Sequence, residues 1–276
     1  MPFDHTEQRA ILQMIQSVVR AAQILKALGG DTPRLGVSEL AERVGLAKGT
    51  VHGLLRTLED EGLVEQDAET GKYQLGMEMF QLGNMVLENH ALRGRSLFWA
   101  DALANRTRQS ARVGVLHGEH VVVVHHVFRP DDTVQILEVG ASIPWNACAL
   151  GKAIVAHLPP ARRRRLLDGP LDRLTGRTIT DRGDLADALD AVAAAGLAVE
   201  DQEAIVGEAG IAGPVFDGTG QVPGALGITG PVERLVPDGA APDLLTAVRE
   251  CARGLSRDLG ARRLPRVDQQ DDRHGR

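Results

Sequence analysis

Residues 35–58, LGVSELAERVGLAKGTVHGLLRTL, decide how the rest of the chain is read. They describe two short helices joined by a tight turn. Val37, Leu40, Ala41 and Val44 recur at i, i+3, i+4 and i+7, which places them on one helical face. Ser38 is the expected N-cap, and Glu39 and Glu42 put negative charge near the positive end of the helix. Gly45 is suited to the left-handed position at which a helix stops. The second helix repeats the spacing with Val51, Leu54, Leu55 and Leu58, and turns Lys48, Thr50, His52 and Arg56 the other way. An inner apolar face that anchors a short outer helix is the pattern of a helix-turn-helix, whose second helix enters the major groove. The same spacing also fits a plain helical hairpin inside a core.

The flanks favour the first reading. Residues 7–28 are predicted as a long helix with Ile11, Ile15, Val18, Ala22 and Leu25 in one stripe, ending at Gly29-Gly30. Residues 63–75, LVEQDAETGKYQL, read as two short strands around a turn from Asp67 to Gly71. A hairpin directly after a helix-turn-helix is a wing. Lys72 then sits where a wing touches backbone phosphate, or is a solvated turn residue. From Gly76 to about His90 a connecting helix carries Met79, Leu82, Met85 and Val86, a stripe suited to an interhelical contact. On the outer helix Lys48 is the phosphate candidate, and Thr50 and His52 are candidates for base edges or phosphate. Arg56 lies farther along, towards the backbone. Arg20 and Arg34 are placed to flank a duplex.

Composition bounds the class. A chain of 276 residues exceeds what one core usually serves, so two domains are expected. No apolar run approaches a membrane span, and residues 1–30 do not read as a signal peptide. Two cysteines, Cys148 and Cys251, make no disulfide framework, which fits a reducing cytoplasm. The net charge of −6 works against DNA binding, and residues 1–90 hold eight Lys and Arg against thirteen Asp and Glu. Because DNA affinity comes largely from phosphate neutralisation, a DNA reader of this composition needs a local basic face and dimerisation.

Beyond residue 90 the composition shifts to a mixture of strands and helices. A helix is expected over 91–109, two strands around a turn at Gly118-Glu119 within 111–128, and a further strand over 133–139. The run Val121–Val124 is apolar enough for a strand inside a sheet. A loop then enters a helix near Cys148, and helix with loop fills 159–180. A helix over 184–196 ends at Gly196, and strands follow over 209–217 and 222–230. A final helix covers 242–261, and a polar tail at 262–276 is predicted to be disordered. This is an α+β sheet domain of the sensor type. Gly224, Gly227 and Gly230 lie in a strand and not at a strand-to-helix turn, so no dinucleotide site follows. His117, His120, His125 and His126 lack a completing cysteine or carboxylate for a metal set. Arg162–Arg165 reads as a solvated turn of helix.

The pattern resembles the isocitrate-lyase-regulator (IclR) type of bacterial transcription factor from about residue 11 to 261. The resemblance is carried by SVVRAAQIL (17–25), GLAKGTVHGLLRTLEDEGLVEQD (45–67), YQLG (73–76), IPWNACALGKAIVAHLP (143–159), TIT (178–180), LAVEDQE with a later glycine (197–207), GPVFD (213–217) and LGITGPVERL (226–235). The block VVHHVFRPDDTVQILEVGA (123–141), with CARGLSRDLGA (251–261), looks most like the glycerol-operon regulators of actinomycetes. The resemblance implies a winged helix-turn-helix domain over 7–75, a linker helix over 76–90 and a GAF-like α/β effector-binding domain over 91–261. It implies a cytoplasmic, nucleoid-associated bacterial repressor, acting as a homodimer or a dimer of dimers on a palindromic double-stranded operator. A small-molecule effector, glycerol 3-phosphate or another small organic acid, would modulate binding, with no cofactor, metal or membrane involved.

The resemblance also points to effector-pocket residues: Ile143, Cys148, Ala149 and Leu150 at the loop and helix start, Glu200 at a bend, and Gly210, Gly227 and Thr229 on strands. Free N–H groups at the helix start suit a carboxylate or phosphate. Glu200 can accept from hydroxyl groups, and Thr229 can donate. The glycines leave space for a ligand, or are strand glycines with packing reasons. Two departures from the family pattern stand out. Gly49 and Gly53 replace a usual serine and arginine on the recognition helix, weakening it by roughly 1 kcal/mol each relative to alanine. The block Pro144-Trp145-Asn146-Ala147-Cys148 is also unusual, which makes Trp145 and Asn146 candidates for altered ligand choice. Two rival readings stay open: an enzyme with Cys148 as nucleophile and His157 or His125 as base, and a sensor dimer that has lost DNA binding.

Overall fold

A computed structural model describes residues 15–30, 32–131, 135–237 and 239–261. It divides into two compact units, one running to Glu88 and one from Asn89. The first holds helices α1 (Gln16–Leu28), α2 (Val37–Val44) and α3 (Lys48–Asp60). Gly45 ends α2 in the left-handed region at φ 66°, which lets the chain turn sharply into α3. α2 begins one residue earlier than the expected Ser38 cap. Gly36 is the cap position, and the Glu39 carboxylate accepts its N–H at 2.6 Å, so Ser38 falls inside the first turn.

Ile24, Leu28, Leu40, Val51 and Leu55 are buried at the centre of this unit, and Val64 and Tyr73 close it from the hairpin. Each fully buried aliphatic side chain contributes about 1.5–3 kcal/mol relative to exposure. The stripe read on the first helix packs only in part: Leu25 joins Ala21, Ile24 and Leu28 against the core, while Ile15 and Val18 are 68% and 63% exposed. Ile11 and residues 7–14 lie outside the described residues. The wing consists of β1 (Val64–Gln66) and β2 (Tyr73–Leu75), paired antiparallel with Val64 opposite Leu75. Asp67 organises its turn, accepting from the Thr70 N–H and hydroxyl, both at 2.8 Å. Leu35 adds a bridge to Tyr73, joining the chain before α2 to the wing. α4 (Met77–Glu88) follows with none of its residues buried. Its apolar side chains Met77, Phe80, Leu82, Met85 and Val86 are exposed.

The second unit opens with α5 (Ala91–Thr107), followed by β3 (Ser110–His117) and β4 (His120–Val127). Later come β5 (Ser142–Pro144), a 3-10 turn at Trp145–Ala147, α6 (Ala149–Val155), α7 (Pro160–Asp168) and α8 (Arg182–Ala195). β6 (Ala198–Asp201), β7 (Glu208–Val215), β8 (Gly224–Pro231), α9 (Val232–Leu235) and α10 (Pro242–Asp258) complete it. The six strands form one antiparallel sheet in the order β5-β4-β3-β8-β7-β6. α5 and α10 pack against it on one face, and α6 lies over the other.

One expected strand does not form. Residues 135–138 of the predicted 133–139 segment have no strand pairing, and 133 and 134 lie outside the described residues. The polar side chains at its two ends are used crosswise. Gln135 accepts from Ser110 at 3.1 Å and from the Arg129 N–H at 2.7 Å, and Glu138 turns to Arg112. β5, β4's partner on that side, comes from the stretch expected as a loop. Arg163, read as part of a solvated turn, donates to the Ala186 carbonyl at 3.0 Å and to Asp190 at 2.7 Å. The predicted tail at 262–276 lies outside the described residues.

No atom stands within 4 Å of a Cβ added at Gly49 or Gly53. Gly49→Ala with Gly53→Ala should therefore stabilise the first unit by up to about 2 kcal/mol, read as a higher thermal midpoint. Leu55→Ala should cost about 2–5 kcal/mol. An unchanged midpoint in the double glycine variant would show that helix propensity does not limit this unit.

Candidate functional site

Two surfaces carry the residues singled out from sequence, one in each unit. On α3, Val51, Leu55 and Leu58 are buried and Lys48, Thr50, His52 and Arg56 are exposed. Lys48, His52 and Arg56, four residues apart, share one face, and Thr50 lies on another. Arg20 bonds Gln16 within α1 at 3.0 Å. Lys72 pairs with Glu39 at 3.4 Å, with both side chains well exposed. Such a surface pair is worth about 0–1 kcal/mol, so it leaves the lysine exchangeable. Arg34 is drawn to the wing, donating to Gln74 at 2.7 Å and facing Asp67 at 3.4 Å.

In the second unit the sheet register builds a row. Ser110 on β3 is opposite Thr229 on β8, Thr229 is opposite Gly210 on β7, and Gly210 is opposite Glu200 on β6. The neighbouring row runs Arg112, Gly227, Ala212 and Ala198. Side chains two apart on a strand share a face, so both rows look towards α6. There Arg112, Gly227 and Ala212 of one row and Thr229, Gly210 and Glu200 of the other line a cavity of about 320 Å³, and all eight predicted pocket residues line it: Ile143, Cys148, Ala149, Leu150, Glu200, Gly210, Gly227 and Thr229. Gly210 keeps its floor open, because a Cβ there would stand 3.1 Å from the Glu200 carboxylate and 3.4 Å from Ala149.

Glu200 is 4% exposed, and one of its oxygens accepts the N–H groups of Glu203 at 2.6 Å and Ala204 at 3.1 Å. Glu203 is buried beside Lys152 and forms an ion pair with it. Its backbone carbonyl accepts the Thr178 hydroxyl at 2.7 Å. Sequence reading missed Lys152 and Glu203. The signal was one lysine inside the otherwise apolar ALGKAIV. It also missed Arg112 and Glu138, which line the cavity as an ion pair. Arg112 stood out only as the single charge in the strand ARVGVL.

Trp145 and Asn146 do not line the cavity. Trp145 is buried in the core, and the Asn146 amide donates to the carbonyls of Asp172 at 2.9 Å and Ile179 at 3.2 Å. They brace the loop, and altered ligand choice is better sought elsewhere. Cys148 caps α6, with Sγ accepting the Gly151 N–H at 3.4 Å, and burial pushes its thiol up to about 12. A thiol so raised stays protonated at neutral pH. His157 faces the Ala153 carbonyl at 3.0 Å and packs on the Phe216 ring. Neither observation supports a cysteine nucleophile. The His126 ring contacts the Ser110 hydroxyl at 3.3 Å and accepts the Glu138 N–H at 3.2 Å. No group of three or more metal-ligating side chains occurs among the described residues.

Burial raises the Glu200 carboxyl to about 7, against the two backbone N–H bonds that favour its ionised form. The unfolded value is about 4.3, so ionisation disfavours folding. The contribution of this carboxyl to stability is fully present below about pH 4 and is lost as pH rises through about 7, by roughly 4 kcal/mol. Glu200→Gln keeps an acceptor for the two N–H groups and removes the charge. Its thermal midpoint should fall less than the wild-type midpoint between pH 4.5 and 8. Parallel curves would show that Glu200 does not carry this dependence.

Two family models match the chain. Residues 17–68 match the IclR helix-turn-helix domain, and residues 84–257 match the bacterial transcriptional regulator IclR C-terminal domain. The chain is 51% identical to the glycerol operon regulatory protein of Streptomyces griseus over 90% of its own length and 98% of that protein. It is 48% identical to the protein of the same name from Streptomyces coelicolor, with the same coverage. An IclR homolog from Microbacterium hydrocarbonoxydans, solved in complex with 4-hydroxybenzoate, is 25% identical, with a TM-score of 0.74 over 88% of this chain and 98% of that one. These relatives are regulators and not enzymes, and the chain belongs to the IclR family of bacterial transcriptional regulators.

Proposed function

We propose that this regulator represses transcription by binding a palindromic operator through α3, as a homodimer or a dimer of dimers, and that a small metabolite in the sheet cavity modulates the binding. The observation that carries the DNA half is the exposure of Lys48, Thr50, His52 and Arg56 on the second helix of a winged helix-turn-helix. Lys48 and Arg56 supply phosphate contacts, Thr50 and His52 reach base edges, and Lys72 and Arg20 approach the backbone beside them. Dimerisation is supported by the exposed apolar side chains of α1 and α4, among them Ile15, Val18, Phe80 and Val86. It also doubles the contacts of a segment whose net charge opposes DNA binding.

The effector half is supported by the cavity and by the similarity to proteins named as glycerol operon regulators. Glu200 and Thr229 flank the side-chain-free Gly210 and offer hydrogen bonds to hydroxyl groups. A small anionic polyol such as glycerol 3-phosphate, or another small organic acid, fits these walls. No described helix is long and apolar enough to cross a membrane.

Lys48→Ala with Arg56→Ala should weaken operator binding and reduce the slope of log K against log salt by about 2, one for each lost phosphate contact. A mobility-shift titration at several salt concentrations measures this. Undiminished binding in the double variant would move the DNA face off α3. Glu200→Ala and Thr229→Val should leave operator binding intact and abolish the response to effector. A wild-type response in both would move the effector site out of this cavity.

A further inference from the structure

Arg112 is the one cation lining the cavity among the described residues. The strand that carries it is a central member of the sheet, and the guanidinium is only 11% exposed. Glu138 occupies it from the side: Nη2 of Arg112 donates to Oε1 at 2.6 Å, and Nε lies against Oε2. A guanidinium fork of this kind matches any planar or tetrahedral oxyanion. Glu138 is the more accessible member of the pair. Its side chain is 28% exposed, against 11% for Arg112. Burial pushes its carboxyl up, Arg112 opposes this, and Glu208, also on the cavity wall, adds to the push.

The backbone around Glu138 is tied down independently of that side chain. The Glu138 N–H donates to His126 Nδ1, Gly140 donates to the Val123 carbonyl at 2.8 Å, and Ala141 donates to the Glu138 carbonyl at 2.8 Å. Releasing Arg112 therefore requires only the carboxylate arm to turn outward. Arg112 is opposite Gly227, and two residues along β8 from Gly227 stands Thr229, in the row that ends at Glu200. Two residues of a strand span about 7 Å. That is the length of a short hydroxylated carbon chain with a charged end group.

We propose that Arg112 anchors the oxyanion of the effector, and that Glu138 is the carboxylate exchanged for it, while the hydroxyl end of the ligand meets Thr229 and Glu200. This rests on the cavity being the effector site. The ligand class is a small hydroxylated chain with a terminal phosphate or carboxylate. Glu138 acts as an internal competitor that sets the affinity for such an anion.

Calorimetric titration of the full chain with glycerol 3-phosphate, glycerate and glycerol tests this, comparing wild type with Arg112→Gln, Arg112→Lys, Glu138→Gln and Glu200→Ala. Arg112→Gln should weaken the anionic ligands by roughly 10-fold to 100-fold and leave glycerol within about twofold. Arg112→Lys keeps the charge without the fork and should give an intermediate loss. Glu138→Gln should bind the anions several-fold more tightly, because a neutral amide competes less for the guanidinium. The two anions separate a phosphate ligand from a carboxylate one. Equal losses for glycerol and the anions in Arg112→Gln, no gain in Glu138→Gln, or no anion binding by wild type at millimolar concentration would each overturn the proposal. Unchanged affinities in the Arg112 variants beside weakened binding in Glu200→Ala would remove the anchor and leave the cavity as the effector site. Unchanged affinities in every variant would remove both.

Discussion

The buried ion pair between Lys152 and Glu203 is the joint that holds the cavity's walls in register. Lys152 comes from α6 and Glu203 from the bend after β6, and both side chains are almost wholly withdrawn from solvent. The same glutamate gives its backbone N–H to Glu200 and its carbonyl to Thr178, so one residue fixes the carboxylate on the wall and the loop behind it. Removing one partner of such a pair strands a charge in low dielectric, typically at 3–5 kcal/mol, whereas replacing both by apolar groups is often neutral. The pair therefore matters for where it puts Glu200 more than for how tightly it holds the fold.

Around that joint the sheet does the sorting. The antiparallel register brings Thr229, Gly210 and Glu200 into one row although they come from three strands. Arg112 falls in the next row, two residues along β3 from the strand's first residue. The wall thus combines the Glu200 carboxyl, raised by burial to about 7, the Thr229 and Ser142 hydroxyls and one paired guanidinium, against apolar surface from Ile143, Ala149 and Leu150. A site of this make-up discriminates by hydrogen bonding at its two ends and by shape between them.

The DNA-facing unit works under a different constraint. Its hydrophobic interior is secure, but its sequence carries more negative than positive charge. Few exposed cations are grouped on α3, and two glycines lie within that helix with open space beside them. Affinity in such a unit is limited by counterion release and by helix order.

The sequence alone determined the helix-turn-helix, the wing, most of the mixed sheet and the eight cavity residues. Periodicity of 3.6 and of 2, turn glycines and a family resemblance are local or ordered signals, so they survive in one dimension. It did not determine which of the two apolar faces of α1 packs, since Ile15 and Val18 look as apolar as Ile24 and Leu28. Nor did it reveal that residues 135–138 leave the sheet, because Gln135 and Glu138 are claimed by Ser110 and Arg112, some 25 positions away. Trp145 and Asn146 looked like ligand contacts and are braces. Only the tertiary structure decided these points, because charge pairing and burial depend on which distant side chains the sheet register places side by side.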